Sequence, residues 1–319
     1  MDYNPLVSVG ILTYNSAKYI IDALESVKNQ TYQNIELIVS DDCSKDNTVE
    51  ICRKWIEENR SRFVNATLLT VEKNTGTSAN GNRRLAACKG EWLKGLAGDD
   101  ALFPDCIKSF IEFVQKEPEA KCVVGCVREY INTFEEKNVI KESHSMHFNN
   151  NDPVLQKSAK EEFQKLIYGN TFIPPAVFVN VQVMRSLGGY DEKYGVLEDH
   201  PFYLKLLRAG YKIYGIDRDV VKYRSSDTNL WANAKYLFNF KHKQMDYYVK
   251  RDICFPYYKR IERVRCRLFY LKFYLMNKLG LRSKTRFNRA VEILFHFSIA
   301  IVTFDIKQIR SYFKSIIKH

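Results

Sequence analysis

The chain has 319 residues, 45% of them hydrophobic and 27% charged, which is the ordinary composition of a folded globular protein. These proportions exclude collagen-like, intrinsically disordered and disulfide-scaffold proteins, and the length suffices to bury a sizeable core. The net charge of +12 is concentrated at one end: residues 235–319 hold 20 Lys and Arg against 5 Asp and Glu, whereas the first 234 residues hold 29 against 32. This asymmetry predicts two functional parts, of which the basic one meets an anionic partner.

The first part of the chain alternates between apolar strand patterns and amphipathic helix patterns. The predicted strands are residues 7–13, 35–40, 66–71 and 92–97, and the predicted helices carry apolar faces at Ile20, Leu24 and Val27, at Val49, Cys52 and Trp55, within residues 78–88, and at Ile107, Phe110 and Val114. Alternation at this spacing predicts a parallel sheet covered by helices on both faces. Ligands of such sheets bind beyond the C-terminal ends of the strands.

After residue 120 the alternation is less regular. We expect a strand at 121–131, a polar loop at 142–152, a helix at 158–168, extended chain at 172–175, a turn at 188–191, a helix at 201–209, short strands at 211–216 and 220–223, and long helices mixing aromatic and basic residues from about Trp231. No repeat and no low-complexity linker interrupts these elements.

Polar side chains follow each of the first four predicted strands. They are Thr13, Tyr14 and Asn15 after the first strand, Asp41 and Asp42 after the second, Lys73 and Asn74 after the third, and Asp99 and Asp100 after the fourth. An aromatic ring among carboxylates suits a nucleotide diphosphate, provided that a cation lies between the two sets of negative charge. Mg²⁺ or Mn²⁺ fits this role because both prefer oxygen ligands. A solvated turn at Gly98–Asp100 is the alternative explanation for the last pair.

Two other classes of nucleotide site are disfavoured. Residues 76–81 have the glycine spacing of a phosphate-binding P-loop, but Asn82 and Arg83 stand where that motif needs Lys and a hydroxyl residue. The turn after the first strand contains no glycine, which argues against a dinucleotide-binding Rossmann domain.

These motifs resemble, in order and spacing, those of family 2 glycosyltransferases with the GT-A fold. The resemblance runs through residues 7–49, Lys73–Gly76, Asn82, Lys89–Glu91, Gly98–Asp100, Gly188–Glu192 and Leu197–Asp199, and it covers about residues 5–225. It implies an α/β fold: a Rossmann-like nucleotide-diphospho-sugar transferase domain at 1–228, with a donor half at about 1–120 and an acceptor half at about 121–228. A basic, aromatic-rich helical extension would follow at 229–319.

The resemblance also implies a role for each matching residue. Thr13, Tyr14 and Asn15 would line the pocket of the base, Asp41 would accept a hydrogen bond from it, Asn74 and Arg83 would contact phosphate or ribose, Asp99 would lie near the ribose and the metal, Asp100 would bind Mn²⁺ or Mg²⁺, and Asp199 would be the general base. For Asp199 a helix N-cap is the alternative. Tyr223 and Arg224 either close on the phosphates or lie on the surface.

The implied reaction is transfer of a sugar, with inversion, from a nucleotide-sugar donor to an acceptor hydroxyl. By resemblance the donor is a UDP-sugar, and the acceptor is a saccharide or lipid-linked saccharide of bacterial surface polysaccharide assembly. Two positions depart from the family pattern: Ala97 replaces a frequent aspartate, which leaves fewer carboxylates for the metal, and Cys43 replaces a glycine in the turn after the second strand. His144 and His147 are expected on the surface, whereas His200 either shapes the acceptor site or is structural.

The basic extension has two interpretations of equal weight. Its Tyr, Phe, Lys and Arg side chains at residues 257–270 suit the headgroup region of an anionic membrane, but they also suit a helical cap with solvated charges. Nucleic acid is disfavoured because no recognised motif accompanies the charge. Residues 293–304 are too short to span a bilayer, and neither a signal peptide nor paired cysteines are evident, so we expect a cytoplasmic protein, peripheral to the membrane. The rival function is a non-catalytic membrane- or polyanion-binding module on a transferase-like fold.

Overall fold

The computed structural model describes residues 3–144, 158–169, 174–195, 197–225 and 236–303. The chain divides into two compact units, Met1–Ser225 and Ser226–His319. Expectations that concern His147, residues 172 and 173, and Trp231 fall outside the described residues.

The first unit is built on one mixed sheet. Its strands are β1 Val7–Thr13, β2 Ile35–Asp41, β3 Asn65–Leu69, β4 Trp92–Ala97, β5 Ala101–Leu102, β6 Cys122–Ile131, β7 Val139–His144, β8 Val177–Asn180 and β9 Ile213–Ser225, in the order β3-β2-β1-β4-β8-β6-β9-β5 with β7 paired to β6. Strands β1 to β4 are parallel, as predicted. Strand β8, which was not predicted, runs antiparallel to both β4 and β6, so the sheet as a whole is mixed.

Seven helices are described in this unit: α1 Ile20–Lys28, α2 Thr48–Asn59, α3 Thr77–Ala87, α4 Cys106–Lys116, α5 Ala159–Leu166, α6 Val181–Ser186 and α7 Asp199–Arg208. Helix α1 buries the predicted face of Ile20, Leu24 and Val27. Rings stack in the core, where Phe178 of β8 lies 4.9 Å from Trp92 and 4.8 Å from Phe110 between ring centroids. Such burial of apolar rings stabilises the junction between the parallel and antiparallel parts of the sheet.

Three local expectations were wrong. The two short strands after residue 210 are one strand, β9, because it pairs along its length with β6 and takes up its irregularity as a register shift beside Cys126. The loop expected from residue 142 begins as strand β7, which pairs with β6. Residues Pro174–Ala176 form a short 3-10 turn rather than extended chain.

The second unit, as far as it is described, is helical. It contains α8 Phe240–Val249, α9 Arg260–Lys278 and α10 Arg286–Val302, with Phe238, Phe273 and Met276 buried together. The long helices mixing aromatic and basic residues were expected. None of the helices in the described residues is long and apolar enough to cross a membrane.

Candidate active site

The turn after β4 lies against the end of β1 because residue 98 is glycine. A Cβ atom on Gly98 would lie 3.0 Å from Thr13 Oγ1 and 3.2 Å from Ser16 Oγ, closer than most real contacts allow. The Gly98 N–H donates to the Leu12 carbonyl at 2.9 Å, which fixes the approach. The turn therefore brings Asp99 and Asp100 next to the polar residues that follow β1.

The loops after β1 and β2 are joined to each other. Thr13 pairs with Asp41 in the strand register, so both lie at the same edge of the sheet. The Asp41 carboxylate accepts hydrogen bonds from the Ser44 N–H at 2.8 Å and from the Ser44 hydroxyl. Asn15, whose φ of 52° is left-handed, accepts from the Lys45 N–H at 2.7 Å. Tyr14 is 47% exposed beside them, so its ring is free to stack on a planar ligand.

Asn74 and Arg83 brace the loop after β3 in this structure. Asn74 Nδ2 donates to the Asp42 carbonyl at 3.2 Å, and Arg83 donates to the Asp42 carboxylate at 3.2 Å and to Thr75 Oγ1 at 2.7 Å. Burial raises the pKa of Asp42, but hydrogen bonds from Thr75, Gly76 and Arg83 outweigh it and hold that pKa below its ordinary value. Asp42 therefore stays ionised and organises the loop.

Asp100 is buried at the strand ends, with 1% of its surface exposed. Its Oδ1 accepts from the Arg224 N–H at 2.8 Å, whereas its Oδ2 is buried without a partner among the described residues. Burial, and then the neighbouring Asp99, hold the pKa of Asp100 well above its ordinary value, and burial also raises the pKa of Asp99. The positive charge of Arg224 opposes both shifts, and that of Lys94 opposes the shift of Asp100, without cancelling them.

Arg224 is buried beside this turn, so of the two expected roles the surface position was wrong. Its side chain is 1% exposed. Its Nε donates to the Asp99 carbonyl at 2.7 Å, one terminal nitrogen donates to Asp22 at 2.6 Å, and the other donates to the Asn132 carbonyl. The guanidinium also lies 4.4 Å and 4.0 Å from the centroids of Tyr19 and Phe134.

The pair Asp99 and Asp100 fits a divalent cation that is shared with a ligand. No group of three or more His, Cys, Asp or Glu side chains within the described residues is arranged to hold a metal by itself. Mg²⁺-type sites commonly use only one or two carboxylates and complete their shell with phosphate oxygens and water. The Oδ2 of Asp100, which has no partner in the described part of the chain, is the observation that makes the residues present fit such an ion.

The second pair of carboxylates is Glu198 and Asp199. Asp199 is the first residue of α7 and is 7% exposed, so it is not the N-cap, a position that Glu198 takes. Glu198 Oε2 is buried without a partner among the described residues. Burial, and then the charge of Asp199, raise the pKa of Glu198 to about 7. Glu198 was not among the predicted site residues. His200 Nε2 contacts the Leu166 carbonyl at 2.9 Å in the interior, which indicates a structural role.

A pair of carboxylates that fits a divalent cation, an exposed aromatic ring at the same strand ends and a second pair of carboxylates are groups that a sugar transfer site can use. Residues 8–178 match the family model of Glycosyl transferase family 2, which is more than half of the chain. The chain belongs to this family, and it is a glycosyltransferase.

Curated relatives carry the same name for the class. An uncharacterized glycosyltransferase of Rickettsia typhi is 29% identical over 240 residues, which cover 73% of this chain and 68% of the relative. The putative teichuronic acid biosynthesis glycosyltransferase TuaG of Bacillus subtilis is 25% identical over 266 residues, which cover 81% of this chain and 96% of TuaG.

Solved structures share the GT-A fold. S. aureus TarS 1-349 in complex with UDP-GlcNAc superimposes with a TM-score of 0.59 at 17% identity, covering 92% of this chain and 80% of that chain. Mannosyltransferase PcManGT from Pyrobaculum calidifontis, in complex with GDP-Man and Mn²⁺, superimposes with a TM-score of 0.55 at 17% identity, covering 77% of this chain and 63% of that chain. The predicted fold class, an α/β GT-A domain with a helical C-terminal part, is confirmed.

Proposed function

We propose that this glycosyltransferase moves a sugar from a UDP-sugar to an acceptor hydroxyl with inversion and with help from a bound Mn²⁺ or Mg²⁺. The observation that carries the proposal is the buried Oδ2 of Asp100, which none of the described residues bonds. It lies beside Asp99, at the strand ends where Thr13, Tyr14 and Asp41 also lie. The solved complexes of TarS with UDP-GlcNAc and of PcManGT with Mn²⁺ support the choice of donor and metal class.

Each group of residues has one task in the proposed reaction. Tyr14 stacks on the base, Asp41 accepts a hydrogen bond from it, and Asp99 with Asp100 holds the cation. When bound, that cation neutralises the charge that develops on the departing nucleotide diphosphate. Arg224 keeps the Asp99–Asp100 turn in place by its bonds to the Asp99 carbonyl and Asp22.

Asp199 acts on the acceptor. It removes the proton of the acceptor hydroxyl while that oxygen forms its bond to the anomeric carbon and the bond to the diphosphate breaks. The hydroxyl attacks from the face opposite the leaving group, so a single displacement inverts the configuration. Glu198 is the residue before it, and burial and then the charge of Asp199 raise the pKa of Glu198 to about 7.

For the acceptor we propose a saccharide or lipid-linked saccharide of polysaccharide assembly at the inner face of an anionic membrane. Support comes from the relative TuaG, from the eight cysteines, which are free in the structure, and from the basic second unit. Helix α10 presents the exposed apolar residues Phe287, Leu294 and Ile301 at seven-residue spacing. Arg286 and Arg289 lie beside the first of them, a combination that suits a headgroup region.

Calorimetric titration with UDP, GDP, CDP and dTDP, each with and without Mn²⁺, tests the donor site. We expect one diphosphate, UDP, to bind only with Mn²⁺, and Asp100→Asn to abolish this binding. The matched control is Glu112→Gln, which removes an exposed carboxylate on α4 and should bind as the wild type does. If no diphosphate binds with metal present, the result supports the second candidate function, a non-catalytic module that binds membranes or polyanions. The positive charge of the second unit favours that function.

A further inference from the structure

Helix α10 presents a row of apolar side chains to solvent. Phe287, Leu294 and Ile301, here called the α10 row, recur at seven-residue spacing, and the first two are 69% and 65% exposed. From residue 290 to the end of the helix the exposed positions carry no charge; they are Ala290, Leu294, Ser298, Ile301 and Val302. A helix on the surface of a globular domain normally turns charged residues to water, so a continuous apolar face indicates a surface that meets a partner.

The charged and polar side chains of α10 point the other way, toward α9. Glu292 and His296 are four residues apart and so share a face of the helix. Lys272 Nζ of α9 lies 3.5 Å from Glu292 Oε1 and 3.1 Å from a ring nitrogen of His296. With about 3.6 residues per turn, this face is nearly opposite Leu294. Phe295 packs against the buried apolar cluster of this unit, so the core contact of α10 does not use the α10 row.

Hydrogen bonds at both ends fix the rotation of α10 about its own axis. Near its start, Asn288 Nδ2 donates to the Ser283 carbonyl and to the Ser283 hydroxyl, each at 3.0 Å. At its end, Arg265 Nε of α9 donates to Thr303 Oγ1 at 3.2 Å. Together with the contacts of Lys272, these bonds hold α10 in one orientation on α9. The helix cannot turn its apolar row inward without breaking them.

Basic side chains surround the beginning of the α10 row. Arg286 and Arg289 flank Phe287 in the sequence, Lys284 precedes them, and all three basic residues are exposed. Residues 236–303 as a whole hold 15 Lys and Arg against 4 Asp and Glu. Long cationic side chains beside apolar ones are complementary to an anionic bilayer, where the charge meets lipid phosphate and the apolar groups enter the boundary with the acyl chains.

Two other partners fit these charges less well. A second copy of this chain, paired through the same row by a twofold axis, would bring two sets of like charges together. Nucleic acid would use the basic side chains but leave the α10 row in water, since phosphate contacts need no apolar surface. An anionic bilayer is the partner that uses both the charge and the apolar row.

We propose that α10 is the membrane-docking surface of this glycosyltransferase. The helix lies flat on an anionic bilayer, with the α10 row at the boundary between headgroups and acyl chains and with Arg286 and Arg289 among the lipid phosphates. The inference deepens the proposed function, and it rests on that function for the purpose of docking, which is access to a lipid-linked acceptor. The docking itself requires neither the donor site nor Asp199.

Co-sedimentation with vesicles, without nucleotide or metal, tests the proposal. The full chain should bind vesicles of equal parts phosphatidylglycerol and phosphatidylcholine more tightly than vesicles of phosphatidylcholine alone, by about tenfold or more. Leu294→Ser should lower the partition coefficient on the mixed vesicles about tenfold, and Phe287→Ser combined with Leu294→Ser about a hundredfold. Val64→Ser is the matched control, because Val64 is an exposed apolar residue of the first unit, and it should leave the coefficient unchanged.

Two further variants separate the apolar from the electrostatic contribution. Ser298→Leu extends the apolar face, since Ser298 is exposed and its hydroxyl bonds only the Leu294 carbonyl of its own helix among the described residues; the partition coefficient should rise several-fold. Arg286→Gln combined with Arg289→Gln should lower binding to the mixed vesicles about tenfold and leave binding to pure phosphatidylcholine unchanged. Circular dichroism checks that each variant keeps the helix content of the wild type.

Wild-type binding to the mixed vesicles by the Phe287→Ser, Leu294→Ser double variant overturns the proposal. It is also overturned if sedimentation velocity shows a dimer that this double variant dissociates while vesicle binding stays the same, or if the wild type binds an oligonucleotide but not the mixed vesicles. Calorimetry with UDP and Mn²⁺ is a separate outcome. The double variant should bind as the wild type does, and a wild type that binds vesicles but no diphosphate would refute the proposed function and leave the docking surface standing.

Discussion

Both units bury a positively charged side chain, but they differ in whether the polar groups around it have hydrogen-bond partners. In the first unit, Arg224 is buried beside Asp100, yet Asp100 and Glu198 each keep a buried oxygen without a partner among the described residues. In the second unit, Lys272 lies 3.5 Å from Glu292, 3.1 Å from a ring nitrogen of His296 and 4.0 Å from the centroid of Phe273. Within residues 236–303, no buried side-chain nitrogen or oxygen lacks a partner.

This difference separates a binding site from a structural cluster. An unpartnered buried oxygen costs free energy in the empty protein, and a fold retains it where a ligand later supplies the partner. A buried charge that its own neighbours satisfy gives no such reason to expect a ligand. We therefore propose that the first unit contains the chemistry, and the predictions below test how far the distinction holds.

The largest expected effect is on catalysis. In Asp199→Asn, sugar transfer should fall by about a thousandfold, because a general base contributes roughly that much, whereas Mn²⁺-dependent diphosphate binding should persist. Radiolabelled transfer and calorimetry measure the two separately. Asp217→Asn, an exposed carboxylate on β9, serves as the control and should keep its activity. Parallel loss of transfer and binding in Asp199→Asn would show that this pair belongs to the donor site.

The next effect is on stability. Arg224→Met removes the bonds to the Asp99 carbonyl, Asp22 and the Asn132 carbonyl together with two ring contacts. Because it leaves Asp100 more isolated, we expect the free energy of unfolding to fall by about 3 kcal/mol.

Urea denaturation measures this change, and Lys222→Met, two residues earlier on β9 and stacked near Phe103, is the matched control. Mn²⁺-dependent diphosphate affinity should decline with Arg224→Met as the turn loosens. An Arg224→Met protein as stable as the wild type would mean that the Asp99–Asp100 turn does not depend on Arg224. The buried arginine of the first unit could then no longer be compared with Lys272 of the second.

The first half of the sheet was predictable because its signals are local. Strands β1, β2 and β4 are apolar and mostly buried, the intervening helices have one apolar face, and the polar residues follow the strands directly. The antiparallel β8 and the continuous β9 depend on which strand pairs with which, and four to thirteen residues of sequence do not specify a distant partner.

The site was predictable only in its outline. Arg224 reads in the sequence as one more basic residue after a strand, and its partners Asp22 and Asn132 are distant along the chain. The side chain of Arg84 on α3 lies within 3.0 Å of where a Cβ atom on Gly10 or Gly95 would be. The position of Arg84 was indicated only weakly in the sequence, by Gly10 and Gly95, which lie at matching positions of two predicted strands. Without the register between those strands, two glycines do not indicate that a third residue needs the space.

Removing the buried carboxyl group of Glu198 should change how the free energy of unfolding depends on pH. The pKa of Glu198 is raised from 4.5 to about 7, so the folded protein binds an extra proton between these values and the free energy of unfolding falls as pH rises through that window. Glu198→Gln removes this contribution and should be more stable than the wild type above pH 7, by roughly 2 to 3 kcal/mol at most.

Thermal unfolding at pH 5 and pH 8 gives the test, and Glu192→Gln, an exposed neighbour on the same segment, is the control. If the difference between Glu198→Gln and the wild type is the same at both pH values, the Glu198 carboxyl has an ordinary proton affinity and the contrast with Lys272 disappears.

The smallest effect is expected for the satisfied cluster of the second unit. Burial lowers the pKa of Lys272 from 10.5 to about 8, although the charge of Glu292 partly opposes it. The unfolded chain therefore binds more protons between these values, and this lysine makes the free energy of unfolding rise with pH in that window. Lys272→Met keeps the length of the side chain and should remove that rise.

At pH 7 we expect Lys272→Met to lie within about 1 kcal/mol of the wild type or above it, because replacing a buried ion by an apolar group of similar size is often neutral or stabilising. Glu292 keeps contact with water, and His296, whose pKa burial and then Lys272 lower to about 4, becomes easier to protonate beside it. Lys278→Met, exposed at the end of the same helix, is the control. If Lys272→Met alone lost several kcal/mol of unfolding free energy, the Lys272 cluster would be as sensitive to substitution as the groups at the strand ends. Whether buried polar groups have hydrogen-bond partners would then not distinguish a structural cluster from a binding site.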